Sequence, residues 1–318
     1  MPHGRILAVA AAALTFAGLS AGQAVAWSDE GHEVIALIAQ KYLAEKSPGT
    51  LNQVEPLLAS DTSSLTAHDI GAASIWADKF RDSDRDTTKV NYGQTRNWHY
   101  IDIDAAGQTP DEKTACAGYP QLPPGRPASL GDPVDCVVDK IIQFETELSS
   151  PQTSASERVL ALKFLLHLVG DMHQPLHSAE RANDQGGANT GVIWGSLKTP
   201  ESLRAVWNDD AVTAWDSNPD VAASKLFSII TPAEVEQARS GRPSDWAAEA
   251  WRVAKLTAYA LPSRAAGTYV PAGQTAARPY YLMPDSYPAE VKAIAGKQLR
   301  LAGLRLAWVL EQYMPAQP

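Results

Sequence analysis

The stretch Phe164-Leu165-Leu166-His167-Leu168-Val169-Gly170-Asp171-Met172-His173-Gln174-Pro175-Leu176-His177 constrains this chain more than any other. The residues leading into it, Ala161-Leu162-Lys163, contain no helix breaker, and apolar side chains dominate to Val169, so the pattern predicts a buried helix carrying polar groups inward. His167 and Asp171 stand four apart, which puts an imidazole and a carboxylate on one helical face, one turn above the other. Such a pair can grip a single cation. Pro175 has no N–H and disfavours helix in the residue before it, so the helix should end around His173 and swing His177 out on a turn. A core helix with satisfied polar residues would account for one buried histidine. Three histidines and an aspartate within eleven positions ask for more, because burying that many ionisable groups costs several kcal/mol unless something pairs them. The pattern points to a metal.

The first 26 residues have the form of a secretory signal: Arg5 is the positive start, Ile6 to Leu19 the apolar run, and Ala24-Val25-Ala26 the small-residue cleavage site. Processing there would start the mature chain at Trp27 and leave 292 residues of 318, with no other apolar run long enough to cross a bilayer. The expectation is a secreted or periplasmic protein. Cys116 and Cys136 flank a loop rich in proline and glycine, and in an oxidising compartment a disulfide closing it is expected, a reactive or metal-binding thiol being the other reading. A formal charge of −9 argues against gripping duplex nucleic acid through a basic face. It leaves a nucleic-acid substrate open, since divalent ions in a carboxylate-lined cleft reverse the local sign.

Cleavage before Trp27 would expose an α-amino group that titrates at roughly 7.7–8.0 when free, and together with the carbonyl of the same residue it can close a five-membered chelate on a metal. A helix follows, capped by Ser28 or Asp29, with Val34, Ile35, Leu37 and Ile38 toward the core and His32 in its first turn. Taken alone, His32 is an ordinary helix-start histidine. Asp78 and Arg81 are three apart on a second helical stretch, a spacing that also suits a surface ion pair. The charge run 82–86 marks a solvated loop. From Trp98 to Asp104 the alternation suggests an extended segment, His99 and Ile101 pointing one way, Tyr100 and Asp102 the other. Further helices are predicted over 137–148, 154–170, from 203, over 246–259 and over 289–313, with irregular chain over 262–288. There is no internal repeat, and the pattern is mainly helical.

With these segments in view, the chain resembles the S1/P1 nuclease family, the zinc-dependent secreted nucleases that share a helical fold with bacterial zinc phospholipase C. The likeness is carried by Trp27 and Gly31-His32, by Trp76-Ala77-Asp78 with Arg81, by Trp98-His99-Tyr100, and by His167-x-x-Gly170-Asp171-x-His173-Gln174-Pro175-Leu176-His177. Ala302-Gly303-Leu304-Arg305-Leu306-Ala307 adds an echo in the last helix. The resemblance implies a mainly α, single-domain fold of the phospholipase C/P1 nuclease type over 27–318, with a metal cleft. It implies Asp78, His99, His167 and Asp171 as ligands of one zinc ion, and Trp27, through its amino and carbonyl groups, with His32 as ligands of a second that Asp171 bridges. Two such ions about 3.5–4 Å apart lower the pKa of a shared water and hold phosphoryl oxygens for in-line displacement. Asp78 would orient the attacking group and Arg81 would stabilise charge on the phosphoryl oxygens. Tyr100 and Asp102 match positions that stack a base and bond its edge, which suits single strands. His173 is expected to be structural, and His68 a loop residue.

One departure matters. The family holds a third zinc with the last histidine of the central motif, here His177, and a later Asn-Leu-His-x-x-Trp-Asp, whose counterpart here is Ser202-Leu203-Arg204-Ala205-Val206-Trp207-Asn208. A guanidinium cannot ligate zinc and a neutral amide is a poor ligand, so His177 loses its partners, with Asp209 or Glu201 as substitutes. The nearby glycine loop departs too, with Ala188 between Gly187 and Asn189. Two zinc ions are expected, and Arg204 is expected to set its fixed charge against a substrate phosphate. The resulting expectation is a zinc-dependent phosphodiesterase acting on single-stranded RNA and DNA to leave 5′-phosphates, with 3′-nucleotidase activity in the same site and no stable protein partner. The alternatives are a phospholipase C-like phosphoesterase and a metal- or nucleotide-binding relative without turnover. A zinc peptidase is disfavoured because no His-Glu-x-x-His occurs.

Overall fold

Ser154 opens the central helix, Ala155–His173, by accepting a hydrogen bond from the Glu157 amide, and Glu157 places a negative charge at the positive end. Gln174 turns to extended backbone ahead of Pro175, and a 3-10 turn, Pro175–His177, follows, as the proline predicts. The computed structural model describes residues 27–116, 122–195, 197–271 and 274–314. The expected leader, 1–26, and its cleavage site lie outside them. From Ala161 to His173 every residue of the central helix is buried, the mark of a helix enclosed on all sides. Its neighbours include the helices Val137–Ser149, Tyr287–Tyr313, Ile70–Ser74, Trp76–Asp82, Pro243–Val253 and Asp29–Lys46.

Phe164, one turn before His167, is the aromatic hub of that packing. It stacks on Phe144 at 4.6 Å and meets the rings of Trp76 and Trp98 edge-on at 5.5 and 5.6 Å. Trp76 and Trp98 head the two segments that bear Asp78 and His99, so this cluster sets both segments against the central helix. Lys163 adds a second tie, its Nζ donating to Asp61 at 2.7 Å while lying 3.7 Å from the Trp76 ring centre. On the other side the N-terminal helix Asp29–Lys46 packs along the C-terminal helix Tyr287–Tyr313. Arg305 of the latter donates from Nη1 to His173 Nε2 at 2.9 Å and from Nη2 to Glu249 at 2.5 Å, while His173 Nδ1 donates to the Val169 carbonyl at 2.7 Å. His173 is therefore a neutral structural bridge. Burial first, then Arg305, holds it down to about 3.

The fold is mainly helical, with one small sheet among the described residues that the sequence pattern does not reveal. Strands β1 (Gly191–Ile193), β2 (Glu201–Ser202), β3 (Gly267–Tyr269) and β4 (Arg278–Leu282) lie in the order β2-β1-β4-β3. β1 and β4 are parallel, with Val192 opposite Tyr281, and the other pairs are antiparallel. The span 262–288, expected to be irregular, thus supplies two strands, too short and too broken by proline to show alternation. Around 98–104 the expected extended segment begins late: Arg96–His99 is a 3-10 turn, and only then does the chain extend. That extended piece pairs with the chain after the central helix, Ile101 N to His177 O at 2.8 Å and Glu180 N to Ile103 O at 2.9 Å. The helices expected from 203 and over 246–259 both carry wide, π-type turns, Val206–Asp210 and Ala254–Ala258. Among the described residues no helix is long and apolar enough to cross a membrane.

Candidate metal centre

Four side-chain atoms from three segments converge beside the central helix. His99 Nδ1 stands 3.1 Å from His167 Nε2, 2.9 Å from Asp171 Oδ2 and 3.3 Å from Asp78 Oδ1. His167 Nε2 stands 3.4 Å from Asp78 Oδ1 and 3.1 Å from Asp171 Oδ2. His167 Nδ1 donates to the Ser74 carbonyl at 2.8 Å, which leaves Nε2 to face the other three atoms, as a ligand atom whenever it carries no proton. Electron-rich atoms packed this way repel unless a positive charge sits among them, and one proton can serve only one pair. Four ligands each about 2.0–2.2 Å from one tetrahedral ion stand about 3.3–3.6 Å apart, close to the longer of the spacings found here. The donor set of imidazole nitrogen and carboxylate oxygen suits a divalent transition metal.

Burial and charge tell the same story. Burial alone would raise Asp78, but Arg81 and then His167 hold it far below the usual carboxylate range. Asp171 is held low in the same way, His167 outweighing the burial. Burial would lower His167, yet Asp171 and Asp78 lift it to about 10. The carboxylates thus attract a cation strongly enough to hold a proton on a fully buried imidazole, and a metal ion would answer the same field.

His32 extends the cluster. Its ring stacks on His167 at 3.8 Å, and Nε2 lies 3.5 Å from Asp171 Oδ1, so the two oxygens of Asp171 face different histidines. Burial, then His167, lowers its pKa. Close approach is possible because residue 170 is glycine: a Cβ there would come within 3.0 Å of His32 Nδ1 and 3.1 Å of Ile35 Cδ1. Trp27 is fully buried, and its indole N–H donates to the Gly170 carbonyl at 3.0 Å, which sets the head of the first helix beside Asp171. Asp78 Oδ2, Asp171 Oδ1, His99 Nε2 and both ring nitrogens of His32 are buried without a hydrogen-bond partner. Such atoms are costly unless a ligand meets them.

Above the cluster opens a cleft of about 290 Å³. Arg81, Arg85, Arg96 and Arg204 line it with Tyr92 and Tyr100, and Asp102, Glu180, Gln185, His99 and His177 complete the wall. The Asp78 and Arg81 pair lies here, buried, and is no surface ion pair. Arg81 Nη1 donates to Asp78 Oδ1 at 2.5 Å, while Nε and Nη2 donate to the two oxygens of Asp82 at 3.0 and 2.8 Å. Two of its five N–H donors stay free on a rigidly held fork. Asp82, the first residue of the expected solvated run, is thus a clamp on Arg81, and nothing in that run of charges marks it as one. Arg85 and Arg96 were also missed; Arg85 hides in that charge run, and Arg96 lies just before Trp98-His99. Tyr100 is half-buried, its hydroxyl donating to Asn97 at 2.7 Å. His68 is exposed in a loop, as expected.

His177 stands apart from the quartet. Its Nδ1 donates to the His99 carbonyl at 3.0 Å and lies 3.7 Å from Asp171 Oδ1. Burial first, then Arg204, lowers it to about 3. Neither Asp209 nor Glu201 lines the cleft. Cys116 and Cys136 are joined in a disulfide.

The S1/P1 Nuclease family profile matches residues 27–315. The chain belongs to the S1/P1 nuclease family. Relatives include Endonuclease 2 of Arabidopsis thaliana, 28% identical over 70% of this chain and 66% of its own length. Endonuclease 4 of the same plant is 24% identical over 93% of this chain and 91% of its own length. Nuclease S1 of Aspergillus oryzae is 27% identical over 76% of this chain and 73% of its own length. Membership joins the buried His and Asp cluster to the chemistry of nucleases, hydrolases of phosphodiester bonds.

Proposed function

We propose that residues 27–318 form one exported, zinc-dependent nuclease domain that cleaves single-stranded RNA and DNA to 5′-phosphate products and removes 3′-phosphates from nucleotides in the same site. The observation that carries this reading is the meeting of His99, His167, Asp78 and Asp171 under an arginine-lined cleft, each pair of atoms within 3.4 Å where measured. His99, His167, Asp78 and Asp171 would hold one zinc ion. His32 and the processed end of Trp27 would hold a second, with Asp171 between the two. When bound, the zinc supplies an activated water and a Lewis acid for the phosphoryl oxygens.

The chain's own groups do the rest. Asp78 Oδ2, buried and unbonded, is placed to accept a hydrogen bond from the attacking water and align it. Arg81 offers its two free N–H groups to the phosphoryl oxygens as charge builds there, and the Asp82 clamp means little reorganisation is needed. Tyr100 presents a ring on which an unpaired base stacks, and Asp102 a carboxylate for the base edge. A paired base offers neither its face nor its edge, so duplexes should be poor substrates. The disulfide between Cys116 and Cys136 supports export to an oxidising compartment.

The test is hydrolysis of single-stranded polynucleotide and of a phosphatidylcholine analogue by the protein starting at Trp27, with and without a chelator. Chelator-sensitive cleavage of the polymer with 5′-phosphate ends is expected. Lipid cleavage alone would replace this reading with a phospholipase C-like one, and turnover of neither would make the chain a binding relative.

A further inference from the structure

Arg204 is a cation that the fold seats in the cleft without neutralising it. Its Nε donates to the Gly186 carbonyl at 3.0 Å, and it forms no ion pair among the described residues. Asp102 and Asp184 act on it only at longer range. Four N–H donors therefore remain for a ligand. The seat is shaped for this side chain: Gly186 has φ +56°, and a Cβ there would stand 2.3 Å from Arg204 Nη2 and 2.4 Å from the Leu176 carbonyl oxygen. Arg204 shares the cleft wall with His99 and His177.

The same corner lacks what a further metal ion would need. His177 Nε2 is buried without a partner, an acceptor a metal could use. Yet His177 belongs to no group of three His, Cys, Asp or Glu ligand atoms within 4.8 Å among the described residues. Asn208 accepts a side-chain hydrogen bond from Gln174 and ties the turn after Pro175 to the helix that follows Arg204. A guanidinium is always charged and cannot ligate, and a divalent ion beside it in a partly desolvated corner would meet direct repulsion.

We propose that Arg204 is a phosphate seat that replaces a third metal ion, so that the chain holds two ions and grips the substrate phosphate with a guanidinium fork. Arg and phosphate match in two parallel hydrogen bonds, a geometry a point cation cannot impose. This rests on the phosphodiesterase reading for the identity of its ligand, and on the Arg204, Gly186 and His177 geometry for its existence.

Metal analysis of the purified protein starting at Trp27 should find two zinc ions per chain; three would overturn the proposal. Titration calorimetry of the zinc-loaded protein with inorganic phosphate should show affinity falling about tenfold or more in Arg204→Ala and less in Arg204→Lys, with the metal count unchanged. Gly186→Ala, which displaces Nη2 and keeps the charge, should weaken phosphate binding in the same direction. Wild-type phosphate affinity in Arg204→Ala would overturn the seat. If Arg204→Ala does not fold, the wild-type metal count and the Arg204→Lys titration still decide. Absence of polymer cleavage by the wild type, with Arg204-dependent phosphate affinity retained, would sink the nuclease reading and leave the seat standing.

Discussion

Replacing Asp171 with asparagine changes charge while almost conserving volume, so it perturbs the centre with little disturbance of packing. Asp171 Oδ2 lies 2.9 Å from His99 Nδ1 and 3.1 Å from His167 Nε2, and Oδ1 lies 3.5 Å from His32 Nε2. One carboxylate thus reaches both halves of the cluster, and a neutral amide serves neither well. A protein holding zinc at 1,000 times its Kd gains about 4.1 kcal/mol from the bound metal. For two such ions, at about 2 °C per kcal/mol for a chain of this size, that is a rise in Tm of about 16 °C. The assay is thermal melting of wild type and Asp171→Asn, each in excess zinc and in chelator. The chelator should lower the wild-type Tm by about 16 °C and leave the variant nearly unmoved, and comparing each protein with itself separates lost metal from any change in the metal-free fold. Polymer hydrolysis should fall by at least about 100-fold, the upper end of what outer-sphere partners of a metal cost. A variant that keeps the full chelator response and wild-type turnover would refute the role given to this carboxylate.

Gly170→Ala should cost the protein one of the two proposed zinc ions by metal analysis while helicity by circular dichroism stays constant, because the new Cβ would press on His32 Nδ1 from 3.0 Å. Two retained ions would show that His32 has room to move. A protein carrying Met-Gly ahead of Trp27 should lose the same ion, since an amide nitrogen cannot replace a free amine; an unchanged metal count would remove Trp27 from the ligand set. Glu145 is buried, and burial, outweighing a hydrogen bond from the Tyr313 side chain, pushes its carboxyl from 4.5 up to about 7. The folded state then holds the extra proton between those values, so the contribution of Glu145 to stability is greatest below pH 4.5 and falls as pH rises through 7, by about 3 kcal/mol. Glu145→Gln should flatten that slope in urea denaturation at pH 5 and pH 8, and a slope equal to the wild type's would contradict the assignment.

The central helix and the placing of His167 and Asp171 on one of its faces were legible in the sequence because their signals are local. A four-residue spacing fixes His167 and Asp171 on one face, and Pro175 fixes where the helix ends. The meeting of His32, His99 and Asp78 with that face is long-range, and the resemblance rather than any periodicity pointed to it. Three features escaped. The clamp of Asp82 on Arg81 reads as one more charge in a polar run, because nothing in adjacent charges says which is buried. The four strands are two to five residues long, too short for alternation to show. The Ser74 carbonyl that sets the His167 tautomer is backbone, which any residue type would supply. The change at Arg204 was visible as a departure from a motif, but that its seat depends on a left-handed glycine at 186 needed coordinates.

Anomalous diffraction at the zinc edge, from crystals of the protein starting at Trp27, tests the central claim most directly. One peak enclosed by His99 Nδ1, His167 Nε2, Asp78 Oδ1 and Asp171 Oδ2, a second beside His32, and none between His177 and Arg204 are predicted. A first site without signal in zinc-loaded crystals would contradict the account at its root.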